Sequence, residues 1–111
     1  MLAPLRDLGP LEGPLLLFGG PYGNLQAARA LREAADSLGL GPEQIICTGD
    51  LAAYCAHARE TVRLIRNWGV PVVMGNCEES LGRGAPECGC GFTEGSACAV
   101  AAEGWYAHAA A

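Results

Sequence analysis

The sequence predicts an α/β fold: a parallel β-α-β-α-β unit forming one half of a layered α/β sandwich. Three observations carry that prediction. Short apolar runs at 15–18, 45–48 and 70–74 are each followed by Gly. Stretches with helical spacing of apolar residues separate them. The connections are short, which favours parallel strands joined by right-handed crossovers.

The elements follow in order. Residues 1–14 carry three prolines and two glycines and read as a loose lead-in. Leu15, Leu16, Leu17 and Phe18 form a buried strand stopped by Gly19 and Gly20. Asn24 is a plausible N-cap for a helix running to about Leu38, with Leu25, Ala28, Leu31, Ala35 and Leu38 near one face. Ile45 to Thr48 form the second strand and Gly49-Asp50 follows. The second helix covers about 57–68 and ends at Gly69, and the third strand covers 70–74. Arg59, Arg63 and Arg66 surround Val62 and Ile65, as a solvated helix face does. Residues 80–98 are rich in Gly and Cys and read as an irregular loop. A last helix begins near Ser96, and residues 99–111 read as a truncated C-terminal helix ending in alanines.

Composition sets the limits. The chain has 111 residues, half of them hydrophobic, enough for one domain with a core. Its net charge is −5, with no basic stripe, so nucleic-acid binding through phosphate contacts is not expected. No apolar run approaches the roughly 20 residues of a membrane span. The start has no basic segment followed by an apolar core, so a cytoplasmic chain is the default expectation.

In a parallel sheet of this kind ligands bind beyond the carboxyl ends of the strands. The segments 19–24, 49–50 and 75–78 all fall there. Gly49 leaves room for close approach, Asp50 supplies a hard oxygen ligand, and Asn76 adds a carbonyl oxygen at the neighbouring strand end. Turn and cap roles for the same two residues compete with that reading. The turn Gly19-Gly20-Pro21-Tyr22-Gly23-Asn24 also offers backbone N–H groups to a phosphate, so Gly20, Tyr22, Gly23 and Asn24 are candidate phosphate contacts. A plain tight turn before a capped helix is the competing reading.

Taken together, the blocks Phe18-Gly-Gly-Pro-Tyr-Gly-Asn-Leu, Cys-Thr-Gly-Asp50 and Val-Val-Met-Gly-Asn76-Cys77-Glu78, with Tyr54 between the last two, resemble the calcineurin-like metallophosphoesterase family. The look is nearest its small bacterial phosphodiesterase branch. The resemblance covers 15–79 and implies a metal-dependent phosphoester hydrolase. It makes Asp50 the carboxylate bridging two ions and Asn76 a ligand of the second ion. Cys77 stands at the family's catalytic histidine, and Glu78 at the acid that orients it. The implied cofactor is a divalent metal (Mn, Fe or Zn), and the implied partner a small phosphorylated substrate or ligand.

The sequence also departs from the pattern. Gly20 and Tyr22 stand where the family has the Asp and His that hold the first ion. A glycine has no ligating group, and a phenol is protonated at neutral pH. A thiol at Cys77 is not equivalent to imidazole as a proton donor. The family's later histidine motifs lie in a second half beyond this chain, and neither His57 nor His108 sits in the expected motif. The sequence therefore predicts fewer than two bound ions and weak or absent hydrolysis, in what reads as the amino-terminal part of a longer or truncated product. An exposed apolar sheet face, and self-association through it, is the further expectation.

Cys77, Cys88, Cys90 and Cys98 form a separate cluster. Four thiolates suit a structural zinc, although C-x-C is not the usual knuckle spacing. A redox pair and inert thiols are the other readings. Cys47 is expected to be a small buried hydrophobe, and Tyr54 and Trp105 to pack rather than to line a ring-binding pocket. Three functions remain: a metallophosphoesterase-like hydrolase, a non-catalytic phosphate- or nucleotide-binding module, and a metal- or redox-responsive protein using the Cys-rich loop.

Overall fold

A computed structural model describes residues 5–86 and 96–110, with no account of the side chains of 97–103. It is a small mixed α/β domain. The order is β1 (Leu16–Phe18), α1 (Leu25–Ser37), a 3₁₀ turn (Pro42–Gln44), β2 (Ile45–Cys47), α2 (Ala58–Trp68), α3 (Asn76–Gly82) and α4 (Ala97–Ala110). Residues 5–14 carry no regular structure, as expected of the lead-in.

Both ends of α1 are set by local chemistry. The Asn24 side-chain oxygen accepts the Ala27 N–H at 3.0 Å, satisfying one of the free donors of the first turn. At the far end Leu40 N–H returns to Ala35 O at 3.0 Å and Gly39 N–H to Asp36 O at 3.0 Å, closing a Schellman motif. Leu40 then folds onto the core, so the cap also places the chain for β2.

β1 and β2 pair in parallel with Leu16 beside Ile45 and Phe18 beside Cys47. Ile45 and Cys47 point inward and are fully buried. Leu51, Ile65, Trp68, Val70 and Ala35 close the core around them. The Phe18 ring stacks on Trp68 with centroids 5.8 Å apart, and the Arg32 guanidinium lies over the same indole, 5.8 Å from its centroid. On the opposite face Ile46 is half-buried, while Leu17 is 62 % exposed and Val73 57 %.

The third strand expected over 70–74 is reduced to one bridge, Cys47 with Val72 in parallel. Cys47 N–H donates to Pro71 O at 2.9 Å and Val73 N–H to Cys47 O at 2.8 Å. In this register the next bond would run from residue 71 to Ile45 O, and Pro71 has no N–H to give. The segment lies where a third strand would, beyond β2, but its ladder stops at the proline. A second correction concerns residues past Gly75. The expected turn and irregular loop begin instead with the short helix α3, which buries Cys77 and Ser80.

Candidate functional site

The three strand-end segments converge, and backbone bonds hold them. Gly20 N–H donates to Gly49 O at 3.0 Å, Tyr22 N–H to Asp50 O at 3.1 Å and Gly23 N–H to Leu51 O at 2.7 Å. Asn24 N–H donates to Pro21 O at 2.8 Å. These four amides were the sequence's candidates for a phosphate cradle. All four donate to backbone oxygens inside the fold, so the turn clamps β1 to the segment after β2.

Gly49 is required where it stands. Its φ is +103°, and a Cβ there would collide with Val73 O and lie 2.7 Å from Gly75 N. That absence of a side chain brings Asp50 against 75–78. A Cβ on Gly75 would in turn strike the Asp50 carboxylate.

Asp50, Cys77 and Glu78 form one network. The two oxygens of Glu78 accept the amides of Asp50 (2.9 Å) and Leu51, a carboxylate fork on consecutive N–H groups. Asp50 Oδ1 accepts Cys77 N–H at 3.3 Å. Asp50 itself adopts a left-handed conformation, φ +59°, which Asp tolerates better than most residues. The Cys77 thiol is buried among these carboxylates, and burial, then the Asp50 charge and hydrogen bond, then Glu78, push its pKa up to about 12. In this state it is a neutral thiol at physiological pH and a poor nucleophile. Burial also raises the Cys47 thiol. Asn76 is exposed at the first residue of α3.

Aromatic rings cover the first block. A Cβ on Gly20 would lie 2.5 Å from Cε2 and Cζ of Tyr22, so the phenol fills the space a side chain at 20 would take. Tyr22 meets Tyr54 edge-on at 4.8 Å between centroids, Tyr54 meets Trp105 at 4.9 Å, and Trp105 meets Tyr106 at 5.8 Å. Tyr106 Oη donates to Ala85 O at 2.6 Å, and His108 Nε2 hydrogen-bonds Ala56 O at 2.8 Å. The aromatic row therefore ties α4 to the strand-end loops. Tyr54 and Trp105 pack, as expected. Tyr22 and Tyr106 as members of the row were not foreseen, because residues 22 and 106 share no sequence spacing.

The paired-metal centre implied by the resemblance does not fit these residues. Position 20 has no ligand and its space holds the Tyr22 ring. Both Glu78 oxygens already accept backbone amides. His57 and His108 are both exposed, on or beside other elements. Among the described residues no group of three or more His, Cys, Asp or Glu side chains is placed to hold a metal ion. Cys88 and Cys90 of the expected zinc cluster lie outside the described residues, as does the side chain of Cys98. Cys47, Cys55 and Cys77 are free thiols. Among the described residues no helix is long and apolar enough to cross a membrane.

No protein-family model, no curated protein and no solved structure matches this chain.

Proposed function

We propose that the chain is a diverged metallophosphoesterase-like domain whose strand-end site binds a small phosphorylated molecule without hydrolysing it by a two-metal mechanism. The observation that carries the reading is the fate of the third block. The Glu78 carboxylate and the Cys77 backbone N–H hold Asp50 and Leu51 in place. A carboxylate anchored on two consecutive backbone amides is fixed in place, and a thiol kept protonated chiefly by burial is a weak general acid. The order of the blocks, each after a parallel strand or bridge segment, supports the scaffold half of the reading. The exposed Leu17 and Val73 suit a face that a second half of the sandwich, or another copy, would cover.

The test is turnover of nitrophenyl phosphate mono- and diesters with added manganese, comparing the unmodified chain with Asp50→Asn. Equal, background-level rates together with a thermal shift on adding a phosphate ester support the reading. Robust turnover that Asp50→Asn abolishes restores the hydrolase. No shift with any phosphate ester removes the ligand assignment.

A further inference from the structure

We infer that Tyr22 is a plug: its ring occupies the volume of a side chain at position 20, α4 backs it through Tyr54 and Trp105, and the ring closes the strand-end site to a cation. The contact is direct. The Cβ position of Gly20 lies 2.5 Å from two carbons of the Tyr22 ring and 2.8 Å from its hydroxyl oxygen. Neither residue sits there for backbone reasons alone. Gly20 has φ +61° and Tyr22 φ +50°, and a bulky tyrosine in left-handed backbone costs on the order of 1 kcal/mol or more, which glycine would not incur and asparagine would incur less.

The strain is local to this place. The non-glycine residues with positive φ are Tyr22, Asp50 and Tyr54 among the described residues, and all three belong to the strand-end cluster. Backbone bonds over-determine the arrangement: Tyr22 N–H reaches Asp50 O, and Cys55 N–H reaches Tyr22 O at 2.9 Å. The ring, 39 % exposed, is held on its edge by Tyr54, which Trp105 of α4 supports in turn. Positions 20 and 22 therefore share one volume, in addition to the left-handed backbone that itself favours glycine at 20.

A double-mutant cycle reads this coupling, using asparagine at both positions because asparagine tolerates left-handed backbone. Gly20→Asn in the unmodified chain must displace the ring, and lowers Tm by about 5 °C or more. In the Tyr22→Asn background the same change lowers Tm by less than half as much. Additive shifts overturn the plug. Gly20→Asp in the Tyr22→Asn background then places a carboxylate beside the opened site, and manganese raises its Tm while leaving the unmodified chain unmoved. A manganese shift of equal size in the unmodified chain, or none in a folded double variant, overturns the closure to cations. Should Tyr22→Asn not fold, Trp105→Ala removes the backing of the ring instead, and an unchanged cost of Gly20→Asn there overturns the proposal.

Discussion

The core beneath the sheet and the cluster at the strand ends are built by different physics. Around Ile45, Cys47 and Ile65 the chain buries apolar side chains, and burial is tolerant of detail so long as volume and pattern are kept. At the strand ends the contacts are polar and directional: Glu78 on two amides, Asp50 on a third, Tyr22 over Gly20. A fold of this size depends on the first for stability and on the second for geometry. On the proposed reading, the residues that the resemblance assigns to paired-metal chemistry act here as structural supports.

Substitutions in the two regions sharpen the contrast. Ile65→Ala, at a side chain 1 % exposed, is expected to lose about 2–5 kcal/mol in denaturant unfolding. Glu78→Gln keeps the shape but leaves one of two amides facing an NH₂ group, and is expected to lose about 1–3 kcal/mol. A loss as large as that of Ile65→Ala would place Glu78 among the main supports of the fold, and no loss would remove it from the network. Asn24→Ala removes the cap on α1 and is expected to lose about 1 kcal/mol. Trp105→Phe is expected to change stability least. The indole nitrogen is buried without a hydrogen-bond partner, so removing its N–H offsets the smaller ring.

Thiol chemistry gives a separate contrast. Cys55 is exposed, whereas Cys47 and Cys77 are buried. Peptide mapping after native alkylation is expected to find label on Cys55 and none on Cys47 or Cys77. The raised Cys77 pKa has a defined sign for stability. The folded thiol keeps its proton while the unfolded one loses it from about 9 upward, so its contribution is fully present below pH 9 and declines as pH rises toward 12. Cys77→Ser should flatten that alkaline decline. An unchanged slope would mean that another group sets it.

The sequence made the helices and inner strands legible because periodicity and caps are local. Asn24, Gly39 and Gly69 sit at the ends where they were expected. The third strand was misread because apolar content at 70–74 outweighed the missing donor of Pro71. The short helix α3 was missed because 75–82 spans too few turns for a period to appear. At the site, Asp50 and the 75–78 segment were brought together as expected, since topology alone places strand ends side by side. The direction of amides and the placing of the Tyr22 ring were not legible. Both depend on partners 27 or more residues away, and no local pattern encodes them.

Metal stoichiometry bears most directly on the central claim, that the strand-end residues support the fold in place of a two-metal reaction. The purified chain, incubated with manganese and passed through a desalting column, should retain fewer than two tightly bound ions per molecule. Retention of two ions, lost together in Asp50→Asn, would contradict the account.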